Sequence, residues 1–213
     1  GKVKVNGHPA KIGDKVNPKK DPVTVFGKKI NKVTEMRYLM LNKPRGYVTT
    51  VSDEHAKKTV MQLMHGVKER VYPVGRLDRD SDGLLLFTND GALANALMHP
   101  SGNITKIYRV TVRPAVNDNM LDKLRTGVEI EGRKTLPCDV SVVSEEDDRV
   151  VLEFGIREGR NREIRKMCDS VGLEVARLKR IAEGPVKLGM IPLGKFRDLT
   201  PREIEKLQKL TEK

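Results

Sequence analysis

The stretch at residues 75–86, with the sequence GRLDRDSDGLLL, carries the densest chemistry of the chain. It places three carboxylates and two guanidinium groups in a short polar segment between two apolar runs, at residues 71–74 and 84–87. Short apolar runs bounded by turn signals are typical of buried strands. Catalytic and binding side chains are often carried by loops at the ends of such strands. The stretch therefore predicts a functional loop that is exposed at the end of a strand.

The spacing of the acids permits a calcium-binding interpretation. Asp78, Asp80, Asp82 and Gly83 match the first half of an EF-hand loop, D-x-D-x-D-G. The twelfth position of that loop should be a bidentate Glu, whereas it is Asn89 here. The preceding residues also form a poor helix, so calcium binding is disfavoured.

A glycosidase would need two carboxylates that face each other across the bond to be broken. Asp78, Asp80 and Asp82 share one short loop that turns them apart, and no second isolated acid stands out. We interpret Asp80 and Asp82 as turn residues, with Asp82 forming a turn ahead of Gly83. These interpretations leave the role of Asp78 open at this point.

Strand and helix signals alternate irregularly along the rest of the chain. Residues 104–112 alternate with period two and predict a half-buried strand. Asn117 or Asp118 can cap one helix, Asn161 can cap another, and residues 200–203 (Thr-Pro-Arg-Glu) form a capping box that begins the last helix. Strands outnumber helices and are joined by short turns. The pattern predicts an α+β fold with a mixed or antiparallel sheet rather than a doubly wound one.

The overall charge favours a nucleic-acid partner. The formal net charge is +12 over 213 residues, with 33% charged residues. No apolar run is long enough to cross a bilayer, and no basic amphipathic helix suggests membrane-surface binding. Cys138 and Cys168 lie far apart, which fits a reducing cytoplasm, and the four histidines show no metal-ligand spacing. We therefore expect a cytoplasmic protein without a membrane partner or a metal site.

Four further stretches, in addition to residues 75–86, resemble the RsuA/RluB family of RNA pseudouridine synthases. Residues 75–86 are similar to the motif G-R-L-D-x-x-S/T-x-G-L-L-L, in which the Asp is catalytic. Ser81 stands where Thr is commoner. In the family's order, residues 41–46 resemble its opening strand, residues 106–110 the strand of the active-site Tyr, and residues 158–167 the helix that carries an Arg. The closing segment is resembled by residues 178–181, 184–186 and 194 onward. The resemblance covers residues 36–200. It implies the family's catalytic domain, with a mixed, largely antiparallel sheet and flanking helices, over residues 35–213.

Residues 1–34 form a separate, strongly basic segment. They contain nine lysines, no arginine and two acids, Asp14 and Asp21. Short valine-rich runs alternate with turn signals such as Asn6-Gly7. The segment resembles the β-rich C-terminal half of the S-four type RNA-binding domain, whose helical first half would precede Gly1. We therefore expect a small, partial RNA-binding module here.

The resemblance implies catalytic roles for Asp78, Tyr108 and Arg165. The Asp78 carboxylate would attack the base or the sugar, or stabilise the detached sugar, and these routes remain open. Tyr108 would stack on the flipped-out uracil, and Arg165 would keep Asp78 ionised as its partner. The reaction is an isomerisation, so no cofactor or metal is expected.

A second set of residues is expected to bind the substrate. Leu178 would line the apolar floor of the pocket, and Arg76 would pair with Asp78 or hold a backbone phosphate. The remaining members are basic residues expected to contact phosphates: Lys43, Arg45, Arg160, Arg162, Lys166 and Arg180.

The predicted function is isomerisation of a specific uridine to pseudouridine in ribosomal RNA, by base flipping. Large-subunit (23S) RNA is favoured over small-subunit (16S) RNA, and the enzyme is expected to act as a monomer. Ribosomal subunit assembly intermediates are a further candidate partner. A non-catalytic RNA-binding or ribosome-assembly protein is the competing interpretation. It explains the charge but leaves the motif around Asp78 without a role.

Overall fold

A computed structural model of the chain describes residues 2–17, 20–30, 35–52, 58–99, 102 and 104–212. The chain divides into two compact units, Gly1–Glu35 and Met36–Lys213. The boundary predicted after residue 34 adjoins residues 31–34, which lie outside the described ranges. Among the described residues, no helix is long and apolar enough to cross a membrane.

The N-terminal unit is a small sheet, in agreement with its predicted β-rich character. It contains β1 (Val3–Val5), β2 (His8–Pro9), β3 (Val23–Val25) and β4 (Lys28–Lys29), in the order β2-β1-β3-β4 with antiparallel pairs. Asn6 and Gly7 join β1 to β2 and both have positive φ values, 52° and 83°. An Asn-Gly pair in this conformation is the preferred two-residue hairpin turn. The S-four type assignment itself stays a prediction.

The second unit contains eleven strands, four α-helices and one 3-10 helix (Val60–Leu63) among its described residues. The strands are β5 (Tyr38–Lys43), β6 (Tyr72–Val74), β7 (Asp82–Thr88), β8 (Lys106–Arg113), β9 (Glu129–Ile130), β10 (Arg133–Lys134), β11 (Asp139–Glu146), β12 (Arg149–Ile156), β13 (Glu174–Glu183), β14 (Val186–Lys187) and β15 (Phe196–Asp198). The helices are α1 (Gly91–Met98), α2 (Asp118–Thr126), α3 (Glu163–Ser170) and α4 (Pro201–Thr211).

Nine of these strands form one mixed sheet, which confirms the predicted fold class. The order along the sheet is β11-β12-β8-β13-β7-β5-β15, with β14 paired to β13 and β6 paired to β7. The β7–β13 pair is parallel, and the other pairs of this sheet are antiparallel. The predicted catalytic loop therefore lies immediately before β7, near the middle of the sheet.

The central strands are covered on both faces. Along β7, Leu85 and Phe87 pack in one apolar cluster, whereas Leu84 and Leu86 pack in another. Because successive side chains of a strand point to opposite faces, the two clusters are the two layers of the core. Helices α2 and α3 contribute to the first layer and α1 and α4 to the second. This double coverage explains why residues 84–87 are apolar without interruption.

The helix ends test the predicted caps. The Asn117 side chain accepts a hydrogen bond from the Met120 amide at the start of α2. The predicted capping box of α4 is present between Thr200 and Glu203. The predicted cap at Asn161 is wrong, since the residue before α3 is Arg162, which caps no amide with its side chain.

Gly83 lies inside β7 rather than in a turn. Its φ is +106°, and a Cβ there would lie 2.2 Å from the carbonyl oxygen of Arg180 on β13. Glycine is therefore required for the close approach of these two parallel strands. The interpretation of Asp82 as a turn residue is also wrong, because Asp82 is the first residue of β7 and is 1% exposed.

Candidate active site

The loop before β7 is fixed through its backbone carbonyl groups. The Leu77 oxygen accepts a hydrogen bond from Thr49 Oγ1 at 2.8 Å, and the Arg79 oxygen accepts one from the Gly46 amide at 2.7 Å. The Asp80 oxygen accepts from Arg45 Nε at 3.0 Å. These donors all belong to the segment that follows β5. The segment therefore holds the loop in one conformation.

Lys43 completes this arrangement from the end of β5. Its Nζ donates to the carbonyl oxygens of Pro44 at 3.2 Å, Asp78 at 3.0 Å and Ser81 at 2.8 Å. The residue is 0% exposed. Burial is the main cause that lowers the pKa of its ammonium group to about 8. The prediction that Lys43 contacts phosphate is therefore wrong, because its charge is enclosed by the loop.

A cavity of about 90 Å³ lies beside this loop. Seven residues predicted from the sequence line it: Arg76, Asp78, Tyr108, Arg160, Arg162, Arg165 and Leu178. Residues from the loop, β8, β12, α3 and β13 thus meet at one place. Ser81 also lines the cavity, and its buried hydroxyl has no hydrogen-bond partner among the described residues.

Two arginines of the α3 region neutralise the carboxylates. Arg162 donates to both carboxylate oxygens of Asp80, at 3.0 and 3.1 Å, and its Nη1 lies 3.5 Å from Asp78 Oδ2. The hydrogen bond from Arg162 is the main cause that lowers the pKa of Asp80. Arg165 makes its ion pair with Asp80 at 3.4 Å and interacts with Asp78 at longer range. The expected direct Arg165–Asp78 pair is therefore replaced by Arg162–Asp78.

Arg162 has an unusual backbone conformation for this role. Its φ of 52° and ψ of 33° lie in the left-handed region, which a non-glycine side chain rarely adopts. The bidentate contact with Asp80 helps to keep it there. Such conformations concentrate at functional sites, where surrounding contacts over-determine them.

Tyr108 is both a core residue and a wall of the cavity. It is 8% exposed on β8, and burial is the main cause that raises the pKa of its hydroxyl, near which the Arg180 guanidinium group lies. Arg180 is 2% exposed and donates from Nε to the Leu84 oxygen at 2.7 Å, while its Nη2 lies 3.5 Å from Glu183 Oε2. The prediction that Arg180 contacts phosphate is wrong, because its guanidinium group is used inside the protein.

The other predicted basic residues lie at the rim or away from the cavity. Arg45 is exposed and also donates to the Ala176 oxygen at 3.2 Å. Lys166 does not line the cavity, and its Nζ pairs with Glu131 at 2.6 Å. Arg160 lines the cavity and is anchored to backbone oxygens of the β9–β10 hairpin.

The carboxylates of the loop do not converge as a calcium site would require. Asp82 is buried against Arg177, whose Nη2 lies 2.8 Å from Asp82 Oδ2. Asp80 faces the α3 arginines. In the part of the chain that the structure describes, no group of three or more carboxylate, His or Cys side chains is placed to share an ion.

Glu163 is a site residue that the sequence did not reveal. It lines the cavity at the start of α3 and is 4% exposed. Its Oε2 accepts a hydrogen bond from the Arg160 amide at 2.9 Å. The carboxyl group of Glu163 also interacts with the carboxyl group of Glu158. Burial is the main cause that raises its pKa to about 7. An acidic residue at the start of a helix is ordinarily interpreted as an exposed residue that interacts favourably with the helix dipole. No local sequence pattern therefore indicated that Glu163 is buried.

Comparisons with known proteins agree with the fold and with the motifs. Residues 37–170 match the family model described as RNA pseudouridylate synthase. An uncharacterised RNA pseudouridine synthase of Aquifex aeolicus (strain VF5) is 40% identical over 211 residues, covering 98% of this chain and 84% of that protein. The ribosomal large subunit pseudouridine synthase B of Bacillus subtilis (strain 168) is 38% identical, covering 100% of this chain and 87% of that protein.

The fold of the chain is also similar to that of a solved structure. A crystal structure of a pseudouridylate synthase has a TM-score of 0.75 with this chain at 29% identity, covering 97% of this chain and 88% of the other. The family resemblance seen in the ordered motifs is therefore confirmed. The chain belongs to the RNA pseudouridylate synthase family of isomerases.

Proposed function

We propose that the protein converts one uridine of ribosomal RNA to pseudouridine, with Asp78 as the catalytic carboxylate. The observation that carries this proposal is the position of Asp78 at a small cavity together with Tyr108, Leu178 and Arg162. The side chain of Asp78 is 35% exposed, so substrate can reach it. The carbonyl contacts of the loop keep the carboxylate in a fixed position relative to the cavity.

The reaction breaks the bond between C1′ of the ribose and N1 of the uracil and forms a bond between C1′ and C5. The proton on C5 leaves and N1 gains a proton, so the atoms and electrons balance within the nucleotide. An ionised Asp78 can attack C1′, attack the base, or stabilise positive charge on the detached sugar. The Arg162 guanidinium group lies 3.5 Å from Asp78 Oδ2 and forms an ion pair with this carboxylate.

The target base has to leave its helix before this chemistry can occur. The cavity volume of about 90 Å³ is well below the roughly 300–1,000 Å³ of sites that enclose a larger ligand. We infer that a flipped-out uracil, and no more, enters beside Asp78. Tyr108 supplies an aromatic face and Leu178 an apolar one. The Ser81 hydroxyl lines the cavity without a hydrogen-bond partner among the described residues, so it can meet the uracil edge.

Exposed basic residues would hold the RNA strand around the cavity. Arg76 and Arg162 are exposed at its rim, and Arg45 lies on the neighbouring segment. Such contacts position the phosphates without reading the base sequence. The lysines of the N-terminal unit would add affinity if this unit is the S-four type module, as we propose.

Large-subunit RNA is the substrate that we favour. The support is the name of the Bacillus subtilis relative, which refers to the large ribosomal subunit, at 38% identity over the whole of this chain. We also propose that the protein acts as a cytoplasmic monomer. Ribosomal subunit assembly intermediates are proposed as alternatives to naked RNA.

Tritium release tests the proposal. Ribosomal RNA labelled at C5 of uridine, from cells that lack this enzyme, is supplied as naked 16S and 23S RNA and as ribosomal subunits. We expect release from 23S RNA by the wild type and none by Asp78→Asn, with both proteins folded and RNA-bound. Release by the Asp78→Asn variant would refute the catalytic role. Binding without release by either protein would favour a non-catalytic RNA-binding protein.

A further inference from the structure

A second, larger cavity lies next to the Asp78 cavity. Its volume is about 610 Å³, which is within the range of sites that bind a nucleotide-sized ligand, roughly 300–1,000 Å³. Arg76, Tyr108, Gly159 and Arg160 line both cavities. The two cavities therefore share a wall, and consecutive nucleotides of one RNA strand could occupy both at once.

One wall of the larger cavity is cross-linked by hydrogen bonds. The Arg160 guanidinium group donates to the carbonyl oxygens of Arg133 at 3.1 Å and Ile130 at 2.7 Å, in the β9–β10 hairpin. The Leu136 amide donates to Glu158 Oε1 at 2.6 Å. The hairpin and the segment after it are thus fastened to the segment between β12 and α3. A wall held in this way presents its side chains without a large ordering cost on binding.

The charge of this cavity is strongly positive. Its lining includes six basic residues, Arg76, Lys106, Arg133, Arg157, Arg160 and Arg180, and two carboxylates, Glu158 and Glu183. Arg180 and Glu183 form an ion pair. Arg76, Arg133 and Arg157 are exposed, and their side chains make no ion pair with the residues that the structure describes. Uncompensated guanidinium groups around a concave surface are suited to bind a phosphodiester.

The same cavity also has exposed apolar side chains. Leu136 is 53% exposed and Met98 is 50% exposed, and both line it. Large apolar side chains that remain exposed beside cations are typical of ligand-binding surfaces. A nucleotide needs this combination, since it has a flat apolar face and a charged phosphate.

We propose that this larger cavity binds one ribonucleotide of the substrate strand immediately next to the reacting uridine. Its base would lie against Leu136 and Met98, and its phosphate would contact Arg133 and Arg157. The inference rests on the proposed function, since it needs the uridine in the Asp78 cavity. The substrate is then a strand with two adjacent nucleotides out of the stack, and the second nucleotide contributes to site selection.

The test couples a change in the RNA to a change in the protein. An oligonucleotide that contains the mapped target uridine is prepared with an abasic ribose at the 5′ or at the 3′ neighbour, which removes the base and keeps the phosphate. The dissociation constants of wild type, Leu136→Ala and Leu193→Ala are then compared. Leu193 is a matched control, because it is 52% exposed and does not line the cavity.

We expect one abasic position to weaken wild-type binding by at least about fivefold, because the apolar contact of the base with Leu136 and Met98 is lost. The same change should weaken binding by Leu136→Ala much less, whereas Leu193→Ala should respond like the wild type. Equal losses for Leu136→Ala and the wild type at both positions would overturn the inference.

The salt dependence of binding tests the phosphate contacts. Arg133→Gln and Arg157→Gln should each reduce the slope of log K against log salt concentration by about 0.7–0.9. Arg202→Gln, an exposed arginine on α4 outside the cavity, should leave the slope unchanged. Unchanged slopes in all three variants would overturn the phosphate assignment. If the wild type releases tritium but an abasic position weakens binding equally in the wild type and Leu136→Ala, the further inference is refuted and the proposed function stands. If the wild type releases no tritium, both are refuted.

Discussion

The ammonium nitrogen of Lys43 lies 3.0 Å from the carbonyl oxygen of Asp78, inside the protein. The same nitrogen lies 2.8 Å from the Ser81 oxygen. One buried charge at the end of β5 thus binds both ends of the turn that carries the candidate catalytic carboxylate. The position of Asp78 therefore depends on a residue that is 35 positions earlier in the chain.

Lys43→Met tests this dependence, because Met has a similar length and donates no hydrogen bond. The carbonyl groups of Asp78 and Ser81 would lose a buried donor, at a cost of about 1–3 kcal/mol for each unsatisfied group. We expect the free energy of unfolding to fall by about 3 kcal/mol in total. Single-turnover tritium release should fall at least about tenfold, since a small misplacement of a catalytic group has a large effect on rate.

Urea denaturation and the rate of tritium release measure both effects. Lys195→Met is the control, since Lys195 is exposed. A Lys43→Met variant with the rate and stability of the control would show that the loop is held without Lys43.

The buried carboxyl of Glu163 predicts a dependence of stability on pH. Its pKa is raised from 4.5 to about 7 in the folded protein. Between these values the folded state binds more protons than the unfolded state, so the free energy of unfolding should fall as pH rises. The contribution is fully present below pH 4.5 and lost as pH passes through about 7. Its size is about 3 kcal/mol at most.

Glu163→Gln should remove this component. We expect the variant and the wild type to differ little at pH 4.5 and the variant to be the more stable at pH 7.5. Urea denaturation at intervals across this range gives the comparison, with Glu145→Gln as an exposed control. Parallel pH profiles for the wild type and Glu163→Gln would contradict the assigned pKa shift.

Arg177 should contribute to stability rather than to RNA binding, although it belongs to a basic cluster in the sequence. It is the ion-pair partner of Asp82, which is 1% exposed, at 2.8 Å. Arg177→Met would leave a buried carboxylate unpaired, which typically costs about 3–5 kcal/mol. Because the Arg177 side chain is itself 49% exposed, we expect the lower end of this range, with RNA affinity nearly unchanged.

The double variant Arg177→Met with Asp82→Asn provides the check. It should recover part of the lost stability, because the unpaired charge is gone. Arg149→Met, which breaks an exposed pair with Glu146, should leave the unfolding midpoint unchanged. Equal effects of Arg149→Met and Arg177→Met on the midpoint would rule out a special role for the buried pair.

Gly83→Ala should disrupt the centre of the sheet. The added Cβ would lie 2.2 Å from the Arg180 oxygen and the backbone φ of +106° is unfavourable for alanine. We expect a loss of more than about 3 kcal/mol, or a protein that does not fold, as judged by circular dichroism and thermal unfolding. Gly91→Ala at the start of α1 meets nothing within 4 Å and should be neutral or stabilising. A Gly83→Ala protein as stable as Gly91→Ala would contradict the close approach of β7 and β13.

Features that depend on neighbours a few residues apart could be predicted from the sequence. The capping box of Thr200 and Glu203 spans three residues, and the alternation along β8 repeats every two. The uninterrupted apolar run at residues 84–87 predicted a buried strand, which is present as part of β7. The motif at Asp78 indicated the family, which the comparisons confirm. Each of these signals is complete within a short window of the chain.

The partners of the charged residues were decided by the tertiary structure. Lys43, Arg177 and Arg180 look like surface cations in the sequence, yet they bind groups of the loop or of β7 that are 35 to 96 residues away. The order of strands in the sheet sets these distances, and it places β13 beside β7 and β8. A buried charge is stable only when such a partner meets it, so its role depends on contacts that no local pattern records.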